Sequence, residues 1–480
     1  MGDGRIGQPD LIMATLDYAS LKLAGQHYRF ATYFAISAFT IGLALDFNNG
    51  EYFVGSLALI TVALILVATA IIAWQVGTAI QLERTLFITV GLEMIALLVR
   101  SPSADLTLIH RWQMLPFHAC VIAAGVVICL AGMIDSRLWQ RLWFPILLSL
   151  HLMASIWILR QSPAPKVDVW VFQQDGSRQL LQGRNPYEMT FPDIYHSTLP
   201  GHQLVYGPNL VVNDRVQFGF PYPPVSLLLA TAGYAVAHDH RYAQALALML
   251  AGAFAGYCYP GRFAKLAAAL LLFTPREFFV LGRGWTEPFT VMFLAATLFL
   301  AVRRSRFLPL ALGLFIVTKQ YLILAVPLTF CLLPAGWRWR DWLWLLIQSA
   351  IVGAIVTLPL ALWNFHAYWR STVTVQELAP FRWDALSYLV WFGFRGHLVT
   401  DPSTAAIAST LAAMVTLALA IWATPRTPAG FAAGVSFVAL AFFAFNKQAF
   451  CNYYFFVIGA MCCAAAAATQ WIIGAKPNEA

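Results

Sequence analysis

VGSLALITVALILVATAIIAWQV, residues 54–76, contains no charged side chain. It is longer than the roughly 18 apolar residues that mark a membrane-crossing helix. Further apolar runs lie at residues 125–133, 143–159, 342–362, 405–423 and 454–473. The 480-residue chain is 60% hydrophobic and only 11% charged, whereas a soluble domain carries about 25% charged residues. The sequence therefore predicts an all-α polytopic membrane protein.

The charge balance of the chain points to membrane topology. The formal net charge is +8, and in a membrane protein an excess of Lys and Arg marks loops that stay in the cytoplasm. We therefore expect no nucleic-acid partner. The first 25 residues carry charges throughout, so we expect no cleavable signal peptide. The seven cysteines lie in or beside apolar segments without a CxxC pattern, which favours buried free thiols over disulfides or a zinc site.

Basic residues divide the loops between the two sides of the membrane. Those that we assign to the cytoplasm in the first part of the chain are Arg5, Lys22, Arg29, Arg84, Arg137 and Arg141. With a first span at about residues 30–45, five crossings place the polar segment 160–223 on the outer side. Three apolar segments follow between residues 224 and 281, where an even number of crossings is needed. Either 225–237 is re-entrant, or the chain is broken near residues 274–277.

A reversal of the chain direction is expected near Lys319. The basic clusters at residues 303–306 and 338–340 both suggest the cytoplasm, so the 27 residues between 307 and 333 have to turn back midway. Each arm is about 20 Å long at 1.5 Å per residue, which is shorter than a roughly 30 Å hydrocarbon core. The turn is therefore predicted below the outer surface, in a cavity.

The polar segment contains KVDVWVFQQDGSRQLLQGRNPY, residues 166–187. Pro165 is suited to the first turn of a helix, and Gly183 with the following Asn-Pro is suited to its end. Asp168 and Asp175 are seven residues apart and share a helix face. Asp168 lies near the positive end of the helix dipole, which favours its ionised form. Both acids can equally be solvated or capping residues, with Arg178 as an ion-pair partner of Asp175.

An ordered set of short motifs surrounds this helix. It comprises Asp168, Phe172, Leu180-Leu181, GRNPY at 183–187, Tyr222-Pro223-Pro224, GRGWTEP at 282–288 and Lys319. Over residues 141–480 the set resembles the GT-C superfamily of membrane glycosyltransferases, and is closest to the polyprenyl-phosphate-mannose-dependent enzymes of glycosyltransferase family 87. Residues 1–140, about four spans, have no counterpart in that pattern and form a separate N-terminal region. The loop at 283–287 departs from the family's short G-Q loop, which leaves the donor sugar open.

The resemblance implies a GT-C-like bundle of about 11–14 transmembrane helices in the cell (inner) membrane. It implies inverting transfer of a sugar, such as mannose, from a polyprenyl-phosphate donor to an acceptor hydroxyl on the outer face. Asp168 would be the general base, with Asp175 as second choice. The partners would be the bilayer, this donor, and a lipid or glycan acceptor. No cofactor is expected, and a requirement for a divalent metal is left open.

Cations beside apolar spans are candidates to hold the donor phosphate, because Arg and Lys are costly at membrane depth. They are Arg283, Lys319 and Lys447, and each can instead snorkel to the interface or pair with an acid such as Glu287. Further candidates for substrate contact are Glu287, Gln320, Arg178, Arg184, Tyr187 and Tyr222.

Three other features have simpler interpretations. Glu93, inside an apolar span, can serve a function or hydrogen-bond to a neighbouring helix. His238 and His240 are too close in sequence to converge on a metal readily, and Arg276 and Glu277 can form a local pair at a helix break.

The main alternative function is a lipid-linked sugar transporter or flippase; another is a polymerase or ligase that uses an undecaprenyl-linked donor. Transporters tend to show repeated halves, and we find no internal repeat.

Overall fold

The computed structural model describes residues 8–72, 78–102, 111–196, 205–207, 209–396 and 401–468, with residues 8–27 described by their backbone only. Helices dominate these residues. Seven of the described helices are long and apolar enough to cross a membrane: Tyr28–Asn48, Val54–Ile72, Trp112–Met133, Arg137–Gln161, Trp339–Trp363, Ser403–Ala423 and Cys451–Ala468. The prediction of an all-α polytopic membrane protein is confirmed at this level.

Five α-helices of the described part of the chain precede the polar segment. They are α1 (Gln8–Asn48), α2 (Val54–Ile72), α3 (Ala79–Val99), α4 (Leu115–Met133) and α5 (Arg137–Gln161). Their ends follow local chemistry: Thr78 and Gln81 form a capping box at α3, and Ser136 caps α5 through the Trp139 amide. A 3₁₀ turn, Arg111–Met114, leads into α4. The predicted first span at 30–45 lies inside α1.

The polar segment folds as a small layer of its own. Helix α6 (Asp168–Leu181) is followed by three two-residue strands, β1 (Phe191–Pro192), β2 (Val211–Val212) and β3 (Arg215–Val216), in the antiparallel order β1-β3-β2. A separate apolar cluster that includes Phe172, Phe191, Phe218 and Phe220 packs beneath them. As predicted, α6 ends just before Gly183, which has φ +69°.

Helices α7 (Pro224–Ala237), α8 (Arg241–Gly256), α9 (Arg262–Leu272) and α10 (Glu277–Arg283) come next. Helix α7 begins and ends against the polar segment. Before its start, the Tyr222 carbonyl accepts a hydrogen bond from the Tyr187 hydroxyl, at 2.9 Å, and after its end the His238 carbonyl accepts one from Gln174 Nε2, at 2.7 Å. Both ends of α7 therefore contact the polar segment, as the re-entrant alternative expects.

The chain is also broken between α9 and α10, at Thr274–Arg276. The expected local pair of Arg276 with Glu277 is wrong. Arg276 bonds Asp46 Oδ1 at 2.8 Å, and Glu277 Oε2 lies 3.4 Å from His151 Nε2 with both side chains fully buried. Arg276 therefore contacts α1 and Glu277 contacts α5, and both helices are distant in sequence.

Helix α11 (Glu287–Val302) leads to α12 (Leu308–Ile316) and to a 3₁₀ helix, Gln320–Leu332. The reversal predicted near Lys319 is present. Contacts with helix α13 (Trp339–Trp363) show the reversal. Before the turn, Gly313 lies against Ser349 and Val317 against Gly353. After the turn, Thr329 accepts a hydrogen bond from the Trp342 indole at 2.8 Å, near the start of α13. The chain thus advances along α13 and then returns, with Lys319 in extended conformation at the turn.

The remaining elements complete the bundle. They are α14 (Phe365–Trp369), a π-helical turn (Arg370–Thr374), α15 (Val375–Leu378), α16 (Tyr388–Gly393), α17 (Pro402–Ala423), α18 (Pro428–Ala444) and α19 (Cys451–Ala468). Helix α19 is central, with 94% of its apolar window buried. Its glycine and alanines allow close approach, and α1 and α18 both pack along it. The N-terminal region is therefore packed into the same bundle as the rest of the chain.

Polar contacts join the helix ends that lie away from the polar segment. Arg262 pairs with Glu83 at 2.6 Å, Lys265 donates to the Gln140 carbonyl at 3.1 Å, and Arg303 donates to the Tyr257 carbonyl at 2.7 Å. These contacts lie next to the arginines that the sequence assigns to one side of the membrane. The bundle thus has two chemically different ends.

Candidate active site at the junction of two cavities

Asp168 is the first residue of α6 and follows an extended residue, Val167. Its carboxylate Oδ1 accepts the Val169 amide at 2.8 Å and the Tyr195 hydroxyl at 3.3 Å. Among the described residues, the hydrogen bonds that this carboxylate accepts both go to Oδ1. Oδ2 is therefore left for a ligand. The helix start holds the side chain in place, and the N-terminal amides favour its anionic form.

The surroundings of Asp168 act on its protonation in opposite directions. Burial raises the pKa of the carboxyl above its usual range, because a desolvated carboxylate is disfavoured. The hydrogen bonds from the Val169 amide and the Tyr195 hydroxyl, and the charge of Arg382, lower the pKa and offset part of this rise. A carboxylate with a raised pKa binds a proton more readily than an ordinary aspartate does, which suits it to accept a proton.

Asp168 lines a polar cavity of about 460 Å³, which we call the Asp168 cavity. Its volume lies in the range of about 300–1,000 Å³ that is typical of small-molecule sites. Three acids and three bases line it: Glu51, Asp168, Asp384, Lys166, Arg283 and Arg382. Aromatic side chains, among them Trp285 and Tyr195, form other parts of the wall. Such a wall suits a neutral ligand with several hydroxyl groups better than a single ion.

The Lys319 cavity lies beside it and has a volume of about 810 Å³. Polar side chains on one part of its wall are Lys319, Gln320, Gln376 and Lys447. The rest is apolar and comes from helices at the edge of the bundle, including Ile323, which is 61% exposed, and Ala406 of α17. Only 28% of the apolar window of α17 is buried, so this cavity lies next to exposed apolar surface of a helix that is long and apolar enough to cross a membrane.

The two cavities meet at three residues, Tyr222, Gln448 and Tyr453, which line both. Asp168 and Arg283 therefore lie on one side of this junction, and Lys319 and Lys447 on the other. The sequence suggested Asp168 as the base and the three cations as phosphate contacts, and the structure brings all four to adjoining cavities. Tyr222, a predicted substrate contact, lies at the junction itself.

Lys319 is buried and paired. Its Nζ donates to Glu287 Oε1 at 2.9 Å, and Asn452 Nδ2 donates to the same oxygen at 3.0 Å. The Lys319 ammonium also lies 4.4 Å from the Tyr222 ring centroid and 5.6 Å from that of Tyr453, within cation–π range. An ammonium has three N–H donors, so an anion that enters the cavity can still bind it. Glu287 lines neither cavity and positions Lys319.

Other predicted cations and amides are held by backbone carbonyls. Arg283 Nη1 donates to the Lys166 carbonyl at 3.1 Å, and Lys447 Nζ donates to the Glu377 carbonyl at 3.0 Å. Burial lowers the pKa of Lys447, and Glu377 opposes this shift. Gln320 Nε2 donates to the carbonyls of Pro221 and Thr372, both at 3.0 Å. Gln320 thus joins the 3₁₀ helix to the polar layer.

Several predicted site residues lie elsewhere. Asp175 lines neither cavity; it is half-exposed, pairs with Arg178 at 3.4 Å, and burial raises its pKa. Arg178 also donates to the Tyr234 hydroxyl at 3.2 Å, and Arg184 is exposed on the far end of α6. Tyr187 is buried in the small apolar cluster. Two helical turns separate Asp175 from Asp168, about 10.5 Å along the axis, so sharing a face does not bring both acids to one cavity.

The structure adds charged residues that the sequence interpretation missed. Arg382 and Asp384 form a pair at 2.6 Å in the Asp168 cavity, and Arg382 lies 5.0 Å from the Phe450 ring centroid. The sequence could have indicated Arg382 as a candidate. One crossing after Arg338 and Arg340, which we assign to the cytoplasm, places residue 382 on the outer side. Asn49 and Glu51 from the N-terminal region also line this cavity.

The His238-Asp239-His240 turn supports the fold. Asp239 pairs with Arg241 at 2.6 Å, and His240 Nδ1 lies 3.0 Å from Gln174 Oε1. Burial lowers the pKa of His240 to about 3, so its ring is neutral at ordinary pH. Glu93 is buried against Gly42 and Thr274, away from both cavities. Among the described residues, no group of three His, Cys, Asp or Glu side chains is arranged to hold a metal.

The chain matches no family model, and neither a curated protein nor a solved structure matches it.

Proposed function

We propose that the protein is an integral-membrane glycosyltransferase with a GT-C-like bundle of about 11–14 transmembrane helices. It moves a sugar, a hexose such as mannose, from a polyprenyl-phosphate donor to an acceptor hydroxyl. The active site faces the outer side of the cell membrane. The observation that carries the proposal is the junction of the Asp168 cavity with the Lys319 cavity.

The division of chemistry between the cavities fits the two substrates. A polyprenyl-phosphate sugar has an apolar chain, an anionic phosphate and a polar sugar. The Lys319 cavity offers an apolar wall at the edge of the bundle together with Lys319 and Lys447. The Asp168 cavity offers carboxylates, guanidinium groups and aromatic rings. A donor phosphate near Tyr222 would place the sugar at the junction and leave the Asp168 cavity for the acceptor.

The reaction would proceed by one displacement. Asp168 Oδ2 takes the proton of the acceptor hydroxyl, and the hydroxyl oxygen attacks the anomeric carbon from the face opposite the phosphate. The bond between that carbon and the phosphate oxygen breaks, and the electron pair leaves with polyprenyl phosphate, so the anomeric centre is inverted. A positioned base typically contributes about 10²–10⁴-fold. Lys319 and Lys447 would stabilise the charge that develops on the phosphate.

The test uses the purified full chain in nanodiscs with polyprenyl-phosphate mannose, glucose and galactose, each labelled in the sugar. Methyl glycosides and an extract of membrane lipids and glycans serve as acceptors. We expect label in an acceptor and release of free polyprenyl phosphate with at least one donor. In sealed vesicles a transporter would move the labelled donor across the bilayer unchanged. That result, without transfer to any acceptor, would overturn the proposal.

A further inference from the structure

The loop that joins α1 to α2 enters the Asp168 cavity. It belongs to residues 1–140, for which the resemblance provides no counterpart, yet Asn49 and Glu51 line the cavity together with Asp168. The N-terminal region therefore contributes to the wall of the candidate active site.

This loop is fixed by its surroundings. Asn49 and Gly50 have φ values of +52° and +78°, a conformation that favours asparagine and glycine. A Cβ atom at Gly50 would lie 2.6 Å from the Cys451 Cα at the start of α19, so only glycine fits there. The Tyr52 amide donates to the Asp384 carbonyl at 2.8 Å, and Glu51 forms an isolated bridge with Ala385.

The base of the loop is also anchored. Asp46, at the end of α1, accepts Arg276 at 2.8 Å and Arg100 at 3.1 Å. A loop fixed at its tip and at its base holds its side chains in place before a ligand arrives, which lowers the entropic cost of binding.

The Glu51 side chain is exposed to the cavity and is available to a ligand. In the described part of the chain its carboxylate makes no hydrogen bond. Burial and the neighbouring Asp384 raise the pKa of this carboxyl, whereas Arg382 and Arg283 lower it. A carboxylate accepts hydrogen bonds from hydroxyl groups, and the Asn49 amide can both donate and accept. Beside aromatic residues such as Trp285, these groups suit the ring of a sugar.

We propose that Asn49 and Glu51 form a subsite that recognises the hydroxyl groups of a sugar ring in the acceptor. This inference rests on the proposed function. The subsite lies in the Asp168 cavity and is absent from the wall of the Lys319 cavity, so it acts on the acceptor and leaves the lipid part of the donor untouched. The N-terminal region would then decide which acceptor is used.

The test compares Glu51→Gln and Asn49→Gly with the unsubstituted protein in nanodiscs, with methyl α-mannoside, methyl β-glucoside and methyl β-galactoside as acceptor probes. Glutamine at position 51 keeps the size of the side chain, and glycine at position 49 keeps the backbone conformation. We expect the acceptor KM to rise about 10- to 100-fold in Glu51→Gln, as for a hydrogen bond to a charged group, and about 2- to 10-fold in Asn49→Gly. The donor KM should stay within twofold.

A matched control removes the same charge outside the cavities. Glu188 is exposed and accepts a hydrogen bond from Asn364. A glutamine side chain can still accept this bond, so Glu188→Gln should leave the acceptor KM unchanged. Thermal unfolding confirms that each variant is folded. An unchanged acceptor KM in Glu51→Gln, or an equal rise in the donor KM, would overturn the subsite.

Saturation-transfer NMR with the same methyl glycosides separates this inference from the proposed function. Binding that is lost in Glu51→Gln, in a protein that transfers no sugar, supports the subsite and removes the transferase. Transfer that does not depend on Glu51 removes the subsite alone. Absence of both binding and transfer removes both.

Discussion

The Asp168 cavity and the Lys319 cavity differ in how their charges are arranged. In the first, three acids and three bases line a polar space, and Glu51 and Asp168 are among the acids. In the second, the principal cation is buried, is paired with Glu287, and lies among tyrosine rings beside an apolar wall. The first cavity resembles a site for proton transfer between polar groups, and the second a site for an amphipathic anion.

Because of this difference, we expect that residues of one cavity can be substituted without changing the role of the other cavity. A base and a phosphate site need opposite surroundings, since a base must be able to exchange a proton, whereas a cation that binds phosphate must keep its charge. Substitutions in the two cavities should therefore separate catalysis from donor binding.

The largest effect is expected from Asp168→Asn. If Asp168 is the general base, its loss should lower the rate of transfer about 10²- to 10⁴-fold. The donor KM should stay within a few-fold, because Asp168 lies outside the Lys319 cavity. The measurement is the rate of sugar transfer in nanodiscs with saturating donor.

Stability of the same variant should respond in the opposite direction to activity. The folded protein holds the Asp168 proton more tightly than the unfolded chain, so its stability falls as the pH rises through the raised pKa. Above the raised pKa the ionised carboxylate is therefore destabilising, and asparagine removes this destabilisation. The thermal midpoint of Asp168→Asn at pH 7 should equal or exceed that of the unsubstituted protein. A lower midpoint together with the loss of activity would mean that the substitution acts through folding.

The second prediction tests whether Lys319 has a role beyond its pair with Glu287. Breaking a buried pair by removing one partner costs about 3–5 kcal/mol, because a buried charge is left alone. Lys319→Met and Glu287→Met should each lower stability by this order, and the double variant should recover most of it. Unfolding of the four proteins in one detergent gives this cycle.

Donor affinity should follow a different pattern across the same four proteins. If Lys319 binds the donor phosphate, the affinity stays low in the double variant although stability returns. Recovery of donor affinity together with stability would show that Lys319 serves only the fold.

Local sequence patterns predicted the parts of this comparison that depend on neighbouring residues. The end of α6 before Gly183 and the reversal at Lys319 follow from helix chemistry and from span length. The start was wrong: Pro165 lies before the helix, which begins at Asp168. Proline, glycine and charge positions contain this information without knowledge of distant contacts.

Contacts between distant helices were not predictable in this way. The chain break before Glu277 was foreseen, but the partner of Arg276 is Asp46, 230 residues away. Nothing near Glu51 indicates that the first loop of the chain reaches Asp168. The N-terminal region therefore read as separate, and its packing along α19 emerges only from the structure.

The third prediction concerns pH and the Asp168 cavity. If Asp168 is the general base, as proposed, transfer requires its ionised form, and burial raises its pKa above the usual range of an aspartate. The rate should therefore fall about tenfold per pH unit on the acid side of a midpoint higher than the ordinary value of about 3.9. Rates measured from pH 4 to 8 at saturating substrates locate this midpoint. Asp175→Asn, which changes an acid on the same helix outside both cavities, should leave the profile unchanged.

The smallest effect is expected from Lys447→Gln. This lysine is half-buried, and its Nζ donates to the Glu377 carbonyl, so solvent screens its charge far more than that of Lys319. A charge at such a position contributes about 0.2–1 kcal/mol, which corresponds to a rise in the donor KM of at most about fivefold that shrinks at high salt.

Arg184→Gln is the matched control, because it removes one positive charge from an exposed position outside both cavities. If both variants raise the donor KM equally, the general charge of this surface attracts the donor and Lys447 has no specific place in the Lys319 cavity. If only Lys447→Gln raises the donor KM, the phosphate site includes the half-buried Lys447 as well as the buried Lys319.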